Sequence, residues 1–280
     1  MASSQTHSLH TKEAVIDLFD HFREELDEQN DRRERLIKSS RDITNLSKRC
    51  IFLLHRVATE DTKEDLETRA LRAAKQGWGK LRDIQRIFAS MKCELEGDLY
   101  WRHQKSVSPG LQEYIEALSF AHYLEHETLI SYQAVQQTLC DEAGTPYFPL
   151  TISDYLLGLS DLTGELMRYA ISAISRKGGR AKASDICAFV RHCKADFEGM
   201  CPRVRGLSKK QSVTNQSLQK IEDAAYTIAV RSSEYDLPSD ILDDIVARSI
   251  SGYDNSHSNY DRKPERWRDR DGSGDEDEYY

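Results

Sequence analysis

Residues 11–58 contain neither glycine nor proline, and two rows of residues recur through them at intervals of seven. The first row is Val15, Phe22, Gln29, Leu36, Ile43, Cys50 and Val57; the second is Leu18, Glu25, Arg32, Ser39, Leu46 and Leu53. Seven residues are close to two helical turns, so each row lies along one side of an α-helix. At ~1.5 Å per residue this predicts a single rod of roughly 70 Å. Its seam is apolar at both ends and polar in the middle. A helix of that length cannot bury such a seam alone, so it requires partner helices.

The rest of the chain supplies them. Helical patterning covers about 62–95, with an irregularity expected at Gly77-Trp78-Gly79. Ser108-Pro109 reads as an N-cap followed by proline at the first helical position, opening a helix to about Glu125. A short helix is expected in "ISYQAVQQTL", and "DEAGTPYFPL" reads as a loop. Thr151 and Asp154 approximate a capping box for a helix to about Arg176. Two further helices, about 183–198 and 208–235, are separated by "GMCPRVRG", and Pro238-Ser239 opens a last short one. No period-two alternation persists. The expected fold is an all-α, elongated bundle of about seven helices, with 1–10 a flexible N-terminus, 11–250 a single helical domain and 251–280 a disordered charged tail.

Charge and cysteines narrow the function. The net charge is −8, but residues 251–280 hold nine acids against five bases, which leaves the remainder near balance. A polyanion-binding surface must then be local. The six cysteines form no C-x-x-C pair and read as reduced, mostly buried thiols; His192, Cys193 and Cys201 come nearest to zinc spacing. No apolar run approaches the ~18 residues of a membrane span, and the first residues lack a secretory layout, so an intracellular chain with no membrane partner is expected.

The chemistry concentrates in two segments. In "GLQEYIEALSF" (110–120), Glu113 and Glu116 interrupt an apolar stripe and, three apart, share one helical face. In "DYLLGLSDLTGELMR" (154–168), Gly158, Asp161, Glu165 and Arg168 share another. Two interior helices each offering two carboxylates suggest one acidic site, since carboxylates brought together repel unless protonated or bridged by cations. Separately, each pair has a plain structural reading as a solvated face or an intrahelical ion pair. All-oxygen ligands suit Mg²⁺, Mn²⁺ or Ca²⁺, while a di-iron bundle calls for Glu-x-x-His, which neither helix carries.

These two segments, with "ERLIKSSRDITNLSKRCIFLLHR" (34–56), resemble the translin superfamily, and within it the Trax branch, over roughly residues 12–235. The resemblance implies a translin-type bundle that assembles with a translin-like paralogue into a closed hetero-oligomer. It implies a Mg²⁺-dependent endoribonuclease, with Mn²⁺ as a substitute, that cuts single-stranded RNA such as passenger-strand or tRNA-derived fragments. The family's acidic motif falls on Glu113, Glu116 and Asp161, with Glu165 as a fourth. Cytoplasm and nucleus are the implied compartments, although "MASSQTHSLHTKEA" lacks the basic import-like segment of many animal relatives. Expected contacts to RNA, and to single-stranded DNA, are Arg32, Arg33, Arg35, Lys38, Arg41, Lys48 and Arg49, which equally read as a solvated helix face. The alternative function is a non-enzymatic nucleic-acid-binding scaffold that stabilises a translin partner.

Overall fold

The computed structural model describes residues 12–174, 179–234 and 241. Seven α-helices appear among them: α1 (Lys12–Ala58), α2 (Leu66–Ser90), α3 (Asp98–His126), α4 (Tyr132–Gln137), α5 (Ile152–Ala173), α6 (Gly179–Met200) and α7 (Leu207–Glu234). A 3₁₀ turn, Lys92–Glu94, links α2 to α3, and no strand occurs among the described residues. The expected N-terminus, the helix at Pro238 and the tail lie outside the described residues. No described helix is long and apolar enough to cross a membrane.

The heptad rows of α1 do what their spacing predicts over the second half of the helix. Leu36, Ile43, Cys50 and Val57 are buried, and α1 packs against α2 and α3. A second group, α5, α6 and α7, packs mutually, and α3 against α5 joins the two groups. Two acid-bearing helices thus form the central seam.

That seam has identifiable fasteners. Thr151 caps α5 by accepting the Asp154 N–H at 3.1 Å. The buried Asp154 carboxylate in turn accepts Gln112 Nε2–H at 2.8 Å and the Ser108 hydroxyl at 3.1 Å, both from α3. Gly158 brings the backbones together: a Cβ there would stand 2.7 Å from Ile115 Cβ and 2.9 Å from the Gln112 carbonyl oxygen.

Two boundaries differ from the sequence expectation. Helix α2 runs through Gly77 and Gly79 without a break. Gly77 is there for packing, since its Cβ would sit 2.6 Å from Leu54 Cδ2 of α1. Helix α3 begins at Asp98, not at Ser108, and continues through Pro109. Proline removes an i→i−4 bond and disturbs the preceding turn. Ser40 of α1 packs on the following turn: its hydroxyl accepts the Gly110 N–H at 3.1 Å and lies 3.5 Å from the Val107 carbonyl. Burial on both faces then carries the helix past the proline. Ser40→Ala removes this buried hydrogen bond between α1 and α3 and should cost about 1 kcal/mol in urea denaturation.

All six cysteines are free; Cys50, Cys187 and Cys193 are buried, Cys140 and Cys201 intermediate, and Cys93 exposed. Burial of the thiols is thus less complete than expected.

Candidate functional site

Glu116 of α3 lies within electrostatic reach of Glu165 and Asp161 of α5 and of Glu113 on its own helix. Glu116 marks the centre. Burial, then the charges of Glu165, Asp161 and Glu113, then a hydrogen bond to Glu165 push its carboxyl up to about 9. At neutral pH it is therefore a proton-bearing acid donating to Glu165, and the two carboxyls share one proton.

The other three acids each meet a cationic or donor group of the chain. Burial would raise Glu165, but His55 and Arg168 override it and hold this carboxylate below its usual range. His55 Nε2 is 2.6 Å from Glu165 Oε2, and with Glu165 ionised the imidazole N–H is the donor. Arg168 donates to Glu165 Oε1 at 2.5 Å. Asp161 is raised by burial, against the opposing pull of Lys210, whose ammonium contacts it directly. Lys48 Nζ lies 3.3 Å from Glu113 Oε1.

Helix spacing did not point to His55 or Lys210. His55 is an isolated histidine 110 residues from its partner, and Lys210 stands 49 residues from Asp161. The only local cue is that His55 follows the buried Leu54 on a helix face turned toward the core.

The chemistry of the cluster, though not its arrangement, suits a cation. The donors are carboxylate oxygens, which suit a hard divalent ion. Among the described residues, however, no group of three or more Asp, Glu, His and Cys side chains is arranged to hold a metal. Binding would therefore require Asp161 to turn from Lys210 and Glu116 to release its proton. His192, Cys193 and Cys201 do not form such a group either.

The proton on Glu116 has a consequence for stability. Its folded value lies above the ordinary 4.5, so its stabilising contribution is complete below pH 4.5 and is lost as pH rises toward about 9. Glu116→Gln keeps the shape and the donor but carries no charge to bury. In the metal-free protein it should raise the melting temperature at pH 8 and flatten its dependence on pH.

The expected nucleic-acid contacts occupy several, partly overlapping settings. Arg32 and Arg35 pair with Glu94, and Lys48 with Glu113. Arg49 lines a small furrow with Arg56, Lys80 and the exposed Phe52. Lys38 lies with Arg33, Arg35 and Arg41 along an open groove that also holds Asp31, Glu34 and Asp42. Arg33 and Arg41 line a groove of about 450 Å³ between α1 and α3 with Arg102, His103 and Lys105, and no acid lines it. The groove ends at Thr44 and Pro109, four residues and so about one turn before Lys48 and Glu113. The basic groove thus stops about one turn short of the Lys48–Glu113 pair.

The Translin family model matches residues 31–232. Over 264 residues the chain is 34% identical to Translin-associated protein X of Mus musculus, covering 87% of this chain and 88% of that protein. It is 30% identical over 223 residues to the Translin-associated protein X homolog of Schizosaccharomyces pombe, covering 76% and 87%. A solved structure of AfC3PO with duplex RNA superposes with a TM-score of 0.58 at 19% identity, covering 78% of this chain and 99% of that one, which shows a common fold. The chain belongs to the translin family.

Proposed function

We propose that this chain is the Mg²⁺-dependent endoribonuclease subunit of a hetero-oligomer formed with a translin-like paralogue, cutting single-stranded RNA. The observation that carries the reading is Glu116 of α3, whose carboxyl is raised by burial and by the charges of Glu165 and Asp161 of α5 and of Glu113. The relatives' names speak of association with translin, and AfC3PO has been solved with duplex RNA; both favour this reading.

In this mechanism Glu113, Glu116, Asp161 and Glu165 would hold the cation, which would supply Lewis-acid charge to the scissile phosphodiester and acidify water beside it. Arg168 and His55 fix both oxygens of Glu165, so that acid is oriented before substrate arrives. Lys210 neutralises Asp161 when the cation is away. Arg33, Arg41, Arg102 and Lys105 attract the RNA backbone and lead it toward Glu113, a role set by charge and independent of base sequence.

The scaffold alternative also has an observation behind it: three of the four acids already have partners within the chain, as a purely structural cluster would. End-labelled single-stranded RNA incubated with the co-purified complex separates the two readings. Cleavage in Mg²⁺ that stops in EDTA is expected; RNA bound but intact in both conditions would support the scaffold.

A further inference from the structure

The indole of Trp101 stands in solvent, 65% exposed, on a helix whose neighbouring side chains are packed. Tyr100 before it is 2% exposed and His103 after it 5%, so α3 is already docked at this level and Trp101 points outward from a formed helix. The ring is held in place. Trp101 meets Tyr100 edge to face with centroids 5.1 Å apart, and Tyr100 meets Phe148 of the core in the same way at 5.7 Å. Trp78, by contrast, packs against the core and donates its indole N–H to Glu125 at 2.5 Å.

The neighbours of this ring indicate its use. Arg102 follows it directly, and Lys105, four residues on, shares its helical face; both line the groove that no acid lines. The nearest acid of α3, Asp98, lies one turn to the other side. Trp101 is also the one large apolar side chain of α3 that is exposed, whereas a protein-docking surface calls for a contiguous apolar patch. A single aromatic face beside clustered cations suits a charged strand and one of its bases. The cations alone attract any phosphate backbone, paired or not. A stacking ring accepts only a base whose face is free, and within a duplex those faces are taken by the neighbouring pairs.

We propose that Trp101 is a stacking platform for an unpaired base of the RNA strand whose phosphates lie on Arg102 and Lys105, and that it sets the preference for single strands. This rests on the ribonuclease reading above and adds the residue that tells an unpaired strand from a duplex. Glu113 stands twelve residues further along α3, about 18 Å at ~1.5 Å per residue. The platform therefore grips the strand at a set distance from the acidic cluster and takes no part in the bond cleavage.

The test uses the full chain co-purified with a translin-like paralogue, in EDTA so that RNA stays intact. Fluorescence anisotropy gives the affinities for oligouridine and for an abasic strand of the same length. Trp101→Ala should weaken oligouridine binding at least about fivefold and leave the abasic strand unchanged. Trp101→Phe keeps a ring and should stay near the wild type. Oligouridine carrying 5-iodouridine, which photocrosslinks to a stacked ring, should mark Trp101. Equal loss for both strands, no loss for either, or a crosslink confined to other residues overturns this inference and leaves the ribonuclease reading standing. A wild-type complex that binds neither strand removes that reading itself. Loss of the paralogue from the Trp101→Ala chain would show that the indole serves a protein contact, and would also overturn the proposal.

Discussion

Glu113→Ala/Glu116→Ala should lower Mg²⁺-dependent RNA cleavage by at least about a hundredfold, because residues that merely support metal ligands are already worth 10–100-fold. RNA retention should change little. The two helices are held together independently by Asp154 with Ser108 and Gln112, and by the Gly158 contact, none of which involves either glutamate. Nor does the basic groove include them. Loss of Glu116 also removes a buried acid that is costly to ionise, so the folded chain should not suffer at neutral pH. The result to look for is a fall in turnover without a fall in melting temperature. A fall in stability or assembly with turnover per complex unchanged would favour the scaffold reading.

The largest structural effect is expected at Gly158. A side chain there meets Ile115 Cβ at 2.7 Å and the Gln112 carbonyl oxygen at 2.9 Å, and the second is backbone that cannot rotate away. Gly158→Val must push α5 off α3, at roughly 3 kcal/mol or more, toward the upper end of overpacking costs. The same displacement separates Asp161 and Glu165 from Glu113 and Glu116, so activity should be lost along with stability. Gly164, on the same helix, provides the control. A Cβ there has nothing within 4 Å, and Gly164→Ala should gain up to about 1 kcal/mol from helix propensity. Urea midpoints for the two variants should therefore move in opposite directions; similar shifts would show that the α3–α5 approach is not what Gly158 serves.

How much of this could be read in the chain follows from the range of the interactions. The heptad rows of α1, the Thr151 cap and the glycine-bearing face of α5 are local patterns, and each appears as its spacing implies. Pro109 misled because its local meaning, a helix start, is overridden by the burial of α3 between α1 and α5. Gly77-Trp78-Gly79 misled likewise, since the pressure of Leu54 on Gly77 is invisible in the local sequence. At the site, intrahelical spacing paired Glu113 with Glu116 and Asp161 with Glu165. Their meeting across helices, and the presence of His55 and Lys210 beside them, depend on long-range packing with no periodic signature. Among the basic residues of α1, spacing alone could not distinguish Arg32 and Arg35, engaged with Glu94, from Arg33 and Arg41, which line the open groove.

The central claim is that α3 and α5 together form one divalent-cation site. Mn²⁺ titration of the co-purified complex, followed by the disappearance of the free-ion electron paramagnetic resonance signal at pH 8, tests it most directly. Saturable binding is expected in the wild type, and it should be abolished both in Glu113→Ala/Glu116→Ala on α3 and in Asp161→Asn on α5. Binding that survives either change undiminished would contradict a site shared between the two helices.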